Sequence, residues 1–182
     1  RAKKAQWNYD PSREHLNFEI GKGGVVMKVN KMKSIPQRIA ENLEARGIKD
    51  PNLSLINQGK RPYFKTVANF ILGGNREVMR NLAFGNQNVN WEQGADNTQL
   101  KRMPEIENWA KDAYRFMCKK YGEKNIAAFV VHLDEANPHI HCTVLPITPK
   151  EKFSFLGVFL DGHDDKEALS RHMTNLHTEF AN

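Results

Sequence analysis

The 182-residue, 20.9 kDa chain is long enough to bury one core and too short for two comfortable ones. With 40% apolar and 26% charged residues, its composition excludes a disordered or membrane-embedded protein. The net charge of +6 and a sequence pI near 9.3 point to a polyanionic partner, with the excess concentrated in Arg1–Lys65, where 14 Lys and Arg face 6 Asp and Glu.

In chain order, turn chemistry at Asn8 to Ser12 leads into a mixed run, His15 to Ile20, that suits a short strand. After the flexible GKGG, the segment SIPQRIAENLEARG predicts a helix: Ser34 caps it, Pro36 suits its first turn, Ile39 and Leu43 share a face and Gly47 stops it. Lys49 to Pro62 reads as loop. FKTVANFIL, Phe64 to Leu72, predicts a strand bounded by Gly73 and Gly74, and Asn75 caps a short helix over REVMRNLAF. Gly85 to Leu100 is polar and rich in Asn and Gln, the signature of a long mobile loop or insertion.

The clearest predicted helix runs from Pro104 to Tyr121, with Ile106, Trp109, Ala110, Ala113, Phe116 and Met117 at three- and four-residue spacing. NIAAFVVHL then predicts a central strand and HIHCTVLPI a second, joined as a hairpin by a turn at Ala136 to Pro138. The tail offers a short strand at FSFLGVFL, then a helix capped by Asp164 or Asp165. Cys118 and Cys142 have no CxxC spacing and read as buried thiols. No apolar run nears the roughly 18 to 20 residues of a membrane span, and RAKKAQWNYD lacks the apolar core of a signal peptide. The expectation is therefore a cytoplasmic protein without membrane insertion. Strands mixed with helices around a hairpin predict an α+β fold with a central antiparallel β-sheet flanked by helices.

The stretch VVHLDEANPHIHC, Val130 to Cys142, concentrates the chemistry. Side chains alternate faces along a strand, so His139 and His141 project to one side. His132 ends the preceding strand, and a hairpin brings its ring across from them. Three imidazoles on one sheet face can ligate a divalent cation and leave positions open for water and substrate, the form of a catalytic site. Glu135 is either a further ligand or the acceptor for a ligand imidazole, with Asp134 the alternative in that second role. The donor set suits Mn, Zn, Fe, Co or Ni, and Mg less naturally. An open cation beside a basic segment favours phosphodiester chemistry.

His132-Leu-Asp-Glu-Ala-Asn-Pro-His-Ile-His141 resembles the HxDExxPHxH signature of the Mob/Pre (MobV-type) plasmid mobilisation relaxases, which belong to the HUH endonucleases. DPSREHLNFEI, Asp10 to Ile20, is similar to that family's upstream RSHLNY-type motif. The resemblance implies a single relaxase domain over residues 1–182, with an HUH relaxase-like sandwich fold. It also implies a native N-terminus and a C-terminal region beyond the sequence given. Such a domain binds single-stranded or hairpin DNA at a transfer origin and nicks one strand by transesterification. It keeps the 5′ phosphate covalently attached and later rejoins the strand for conjugative mobilisation, with accessory mobilisation and coupling proteins as further partners.

Carried onto this chain, the resemblance makes His132, His139 and His141 the metal ligands, with Glu135 a further ligand or bracing group and manganese the first choice over Mg, Zn, Co or Ni. Arg13 and Asn17 would contact DNA or brace the site. The family's histidine nucleophile would fall upstream of Arg1, leaving Tyr9 as the in-chain alternative, while His15 belongs to the second motif. Lys22, Lys28, Lys31, Lys33, Arg38, Lys60, Arg61 and Lys65 could track the phosphate backbone, and Trp7, Tyr9 and Tyr63 could stack on unpaired bases. The competing readings are another HUH nuclease (a replication initiator or single-strand transposase), a non-catalytic DNA-binding module with a structural metal, and a zinc hydrolase of small phosphoesters.

Overall fold

The computed structural model of the chain describes residues 9–162 and 165–181; Trp7 and Asp164 lie outside them. Five strands, β1 (Phe18–Gly21), β2 (Val25–Lys28), β3 (Ala68–Leu72), β4 (Ile126–His132) and β5 (His139–Val144), form one sheet in the order β2-β1-β4-β5-β3. The helices are α1 (Ile35–Ala45), α2 (Leu53–Asn57), α3 (Arg76–Phe84), α4 (Pro104–Tyr121), α5 (Phe155–Phe159) and α6 (Lys166–Ala181). The expected α+β architecture with a central antiparallel sheet is thus what the chain adopts. Among the described residues no helix is long and apolar enough to cross a membrane.

The fold divides into two compact units. The first takes Arg1–Lys31, Phe70–Arg115 and Ala128–Cys142, and the second takes Met32–Asn69, Phe116–Ala127 and Thr143–Asn182. In the first, β1 runs antiparallel to β4 with Phe18 opposite Val131 and Glu19 opposite Val130. Period-two alternation therefore sends Phe18, Val131, Ile140 and Cys142, all essentially inaccessible, to one face. Helix α4 covers that face, with Tyr114 edge-on to Phe129 at 5.2 Å and Ile106, Ala110 and Ala113 buried along its stripe. The opposite face is left to β4 and β5 residues of other chemistry.

The second unit is centred on Leu43, Leu145 and Ile147, with Ile39, Val67 and Phe153 packed around them. Its polar counterpart is Arg46, which donates to Glu151, to Asn42 Oδ1 at 3.2 Å and to Asn125 Oδ1 at 2.9 Å. Asn125 in turn donates to the carbonyls of Tyr121 and Ile147 at 2.7 and 2.8 Å. Each group of this buried amide is used, as burial demands.

Several expected elements take another form. His15 to Ile20 is not one strand. A 3-10 turn covers Pro11–Leu16, because Asp10 caps the amide of Ser12 at 2.9 Å and Pro11 presets the first turn, and the strand begins only at Phe18. The strand expected over Phe64 to Leu72 is confined to Ala68–Leu72, since buried Asn52 captures the amides of Tyr63 and Phe64 and so removes them from any ladder. Lys49 to Pro62, read as loop, contains the short helix α2. FSFLGVFL is helical over Phe155–Phe159: Ser154 caps Gly157 at 3.0 Å, and the Phe155 and Phe159 rings meet four residues apart at 5.0 Å. Asp165 supplies the cap of α6, accepting from the Ala168 amide at 2.6 Å. Cys142 is buried as expected and Cys118 half-buried.

Gly85 to Leu100 lacks regular structure but is not a loose insertion. Asn97 is inaccessible. Its Oδ1 accepts from the Asn90 amide at 3.0 Å, while its Nδ2 donates to Asp10 Oδ2 and the Asn90 carbonyl at 2.8 Å each. Replacing Asn97 by Ala should lower stability by about 2–3 kcal/mol, because the partners left behind are buried. The expected outcome is a lower denaturation midpoint, together with new protease cuts within Gly85 to Leu100.

Candidate metal centre

The residues at the end of β4 and the start of β5 make the site. Val131 and Ile140 point into the core, so alternation puts His132, His139 and His141 on the other face of the sheet. The ring centroids are 5.5 Å apart for His132 and His139, 4.9 Å for His132 and His141, and 4.8 Å for His139 and His141. Glu135 and Asp134 lie with His132 on the wall of a groove of about 930 Å³, alongside Tyr9, Lys28 and Lys31.

As the side chains lie, no three His, Cys, Asp or Glu groups among the described residues stand at coordination spacing. His139 Nε2 and His141 Nε2 hydrogen-bond each other at 2.8 Å, whereas two nitrogens about 2.0–2.2 Å from one cation stand roughly 3.0–3.5 Å apart. For that pair the two arrangements differ by a few tenths of an ångström. His139 already has the orientation a ligand needs: its Nδ1 lies 2.9 Å from the Asn137 carbonyl, to which it donates, leaving Nε2 as the lone-pair nitrogen.

Asp134 completes the fit. It is almost inaccessible, and its Oδ1 has no hydrogen-bond partner among the described residues. His132 Nδ1 lies 3.8 Å from it, beside the imidazole that would need its other nitrogen fixed. Desolvation raises the Asp134 pKa, but the His132 ring and the Asn17 amide outweigh it, and the group sits below its ordinary range as a carboxylate. His141 is pushed down by desolvation and by the two neighbouring imidazoles, which keeps it a neutral donor of electrons. The donor set and its braces therefore fit a divalent cation.

The turn between the histidines is held from behind. Arg13 is 3% exposed. Its Nη1 donates to the Leu133 carbonyl at 2.7 Å and its Nη2 to those of Asp134 and Glu135 at 3.4 and 3.3 Å. Its charge is met by Asp10 Oδ2 at 2.8 Å, and its guanidinium lies 4.7 Å from the Trp91 ring centroid. Arg80 extends the series, donating to the Ala136 carbonyl through Nε and Nη2 at 3.0 and 2.7 Å while stacking on Trp91 at 3.5 Å. Asn17 donates to Asp134 Oδ2 at 2.6 Å and accepts from the Leu133 amide at 2.7 Å.

Arg13 is inside the protein with its donors on the turn, and Asn17 has both ends of its amide engaged with the same turn, the placement of bracing groups. Arg80, Trp91 and Asp10 share that bracing and were not singled out from the sequence. No spacing rule links them to Ala136, although an arginine and a tryptophan in polar surroundings carry a faint signal.

Tyr9 lines the groove and pairs as an isolated bridge with Glu135. Desolvation and the charges of Glu14 and Asp134 raise the pKa of its phenol. His15 is bound to the Leu100 carbonyl at 3.1 Å. Among the basic candidates, Lys28 and Lys31 line the groove, with Lys31 Nζ 2.5 Å from Glu14. Lys22 is exposed nearby in sequence on the β1–β2 connection. Lys33, Arg38, Lys60 and Arg61 belong to the second unit; Lys33 pairs with Glu41 at 2.6 Å and Arg38 Nε donates to the Lys33 carbonyl at 3.2 Å.

Residues 28–177 match the protein family described as plasmid recombination enzyme (Mob_Pre). The plasmid recombination enzyme of Lactiplantibacillus plantarum is 28% identical over 104 residues, 56% of this chain and 29% of its own length. The type 1 enzyme of Staphylococcus aureus is 40% identical over 50 residues, 28% of this chain and 12% of its own length. The chain thus spans less than a third of these relatives. Among solved structures, it resembles the MobM relaxase domain (MOBV; Mob_Pre) in a Mn-bound crystal structure with plasmid pMV158 oriT DNA at pH 5.5. The TM-score is 0.61 at 22% identity, covering 96% of this chain and 71% of that one. A second crystal structure of that domain, with a 3′-thiophosphate on the DNA, gives 0.60 at 21% identity, covering 96% and 69%. At this identity the likeness is one of fold, and it agrees with the relaxase-like sandwich the motifs imply.

The Asp10 carboxylate generates a test. Desolvation raises its pKa, and hydrogen bonds from Ser12, Asn97 and Arg13 reverse that and leave it lowered. A depressed folded-state value stabilises the protein above the unfolded pKa of about 3.9 and loses that contribution as pH falls through the folded value. Asp10→Asn should therefore destabilise the protein at pH 7, with the difference from the parent shrinking below about pH 4. Urea midpoints measured from pH 7 to pH 3 give the comparison.

Proposed function

The chain belongs to the plasmid recombination enzyme (Mob_Pre) family, and from that premise we propose that it forms the DNA-nicking domain of a plasmid or transposon mobilisation relaxase. In this reading it cuts one strand of single-stranded or hairpin origin DNA by transesterification, leaves the 5′ phosphate covalently attached to protein, and later rejoins the strand. The observation that carries the reading is the convergence of His132, His139 and His141 on the groove-facing side of the sheet. The likeness in fold to a domain solved with manganese and oriT DNA supports it.

His132, His139 and His141 would hold the cation, with manganese preferred over Mg, Zn, Co or Ni, and Glu135 would be a further ligand or an acceptor for a ligand imidazole. Such a cation polarises a nonbridging phosphate oxygen and offsets charge that develops during in-line displacement. The chain's own groups do the rest. Asp134, ionised, would accept a hydrogen bond from His132 Nδ1, 3.8 Å away, and the Asn137 carbonyl accepts one from His139 Nδ1. Lys28 offers positive charge along the groove to flanking phosphates, and Lys31, also on the groove, is paired with Glu14. Arg13 and Arg80 keep the 133–136 carbonyls fixed, so the ligands do not drift when DNA loads. The attacking group of this reading is one other than Tyr9, which lines the groove as the in-chain alternative.

End-labelled origin DNA incubated with the full-length protein and Mn²⁺ should yield a protein-linked 5′ end in equilibrium with rejoined strand; free hydrolysed ends alone sink the proposal. His139→Ala and His141→Ala should each lower cleavage by at least about a hundredfold, beyond the usual effect of losing a ligand's bracing partner, with folding and DNA binding retained. Unfolding on chelation would favour a structural metal instead. Tyr9→Phe should cleave within a few-fold of the parent, and abolished adduct formation would make Tyr9 the nucleophile.

A further inference from the structure

Tyr63 and Phe64 are 83% and 50% exposed, with rings 5.5 Å apart and nearly perpendicular at 82°. Two adjacent aromatic side chains left in water have a solvation cost that ordinary surface residues avoid, and here their backbone is held rather than mobile. Asn52, 6% exposed, accepts from the amides of Tyr63 and Phe64 at 3.0 and 2.9 Å, and its Nδ2 donates to the Phe64 carbonyl at 3.0 Å. Asp50 Oδ1 accepts from the Asn52 amide at 2.8 Å and fixes the hub itself. One buried side chain thus spends both acceptor sites of its amide oxygen and one N–H on presenting an exposed aromatic pair.

The flanks are basic. GKRPYFK, Gly59 to Lys65, contains Lys60, Arg61 and Lys65 and no acidic residue. Lys60 and Arg61 are exposed and have no ion-pair partner among the described residues, while Lys65 Nζ lies 4.9 Å over the Phe155 ring. Aromatic faces beside uncompensated cations suit a polyanion whose flat groups are unstacked, namely single-stranded nucleic acid. A protein partner would bury the apolar rings equally well but would not call for adjacent cations without carboxylates.

We infer that Tyr63 and Phe64, presented by Asn52 and flanked by Lys60 and Arg61, form a sequence-tolerant stacking site for the unpaired bases of single-stranded DNA, carried by the second unit. The inference rests on the nicking-domain reading for its ligand, and its test is separable from that reading. The probe is a dye-labelled oligo-dT of about 15 nucleotides, near the upper site size of a single-strand binding surface, read by fluorescence anisotropy with the full chain in EDTA, so that neither metal nor nick site takes part. Tyr63→Ala should weaken binding about tenfold and Phe64→Ala by a smaller factor, whereas Tyr63→Trp should retain it, in keeping with the effect of removing one stacking partner. Lys60→Ala and Arg61→Ala should each reduce the dependence of log K on log salt by about 0.7, the single-strand value per phosphate contact. Unchanged thermal melting of Tyr63→Ala secures the comparison, as its ring is exposed. If Tyr63→Ala binds oligo-dT like the parent while the parent still nicks origin DNA, the stacking site is overturned and the nicking reading stands. If the parent nicks nothing but its oligo-dT affinity depends on Tyr63, the stacking site stands alone.

Discussion

The structure around the histidines depends on one buried guanidinium. Arg13 enters the first unit from a 3-10 turn and gives its donors to three successive carbonyls, those of Leu133, Asp134 and Glu135. A turn that leaves a central strand exposes carbonyls to the interior, and each one buried without a donor costs roughly 1–3 kcal/mol. A lysine could satisfy one of them, but a planar fork satisfies several at once. The charge is admissible there only because Asp10 accompanies it, since a lone buried cation would be far more costly. Asp10 in turn secures Ser12 and Asn97, so the polar loop from Gly85 to Leu100 is tied to the same ion pair that braces the site.

From this brace the chemistry of the sheet face follows. The core side of β4 and β5 is covered by α4, and the alternating residues are thereby put on the opposite face. Three imidazoles stand at 4.8 to 5.5 Å between centroids on one face of the sheet. The orphaned Asp134 Oδ1 beside His132 and the carbonyl of Asn137 beside His139 are the partners such rings require. The family match spans residues 28–177 and so includes this face, and the likeness to the MobM relaxase domain is one of fold.

The basic residues of Arg1 to Lys65 do not act as one group. Lys28 and Lys31 stand on the groove of the first unit, while Lys60 and Arg61 accompany an exposed aromatic pair in the second. Charge density along a sequence reports that a polyanion is welcome. Which cations meet it depends on the carboxylates that neutralise some of them, as Glu41 does for Lys33.

Local patterns in the sequence were enough for part of the fold and for the histidine face. Helices α1, α3 and α4, the β4–β5 hairpin, and the same-side placement of His139 and His141 are all consequences of short-range periodicity and capping, which operate within a few residues. What Arg13 and Asn17 do was beyond that reach, because a buried arginine and a DNA-contacting arginine look alike until the partners at residues 133–135, more than a hundred positions away, are in place. The same holds for Asn52, whose capture of Tyr63 and Phe64 ended a strand that propensity alone extended, and for Asn97, which turned an Asn- and Gln-rich stretch into a fixed loop. Ser154 and the buried Phe159 made a helix of a run whose composition suited a strand. The sequence by itself determined that His132, His139 and His141 share one face of the sheet, since that depends on alternation. Only the tertiary structure decided which polar groups hold them still, because each such hydrogen bond joins residues that the chain brings together only when the hydrophobic layers close.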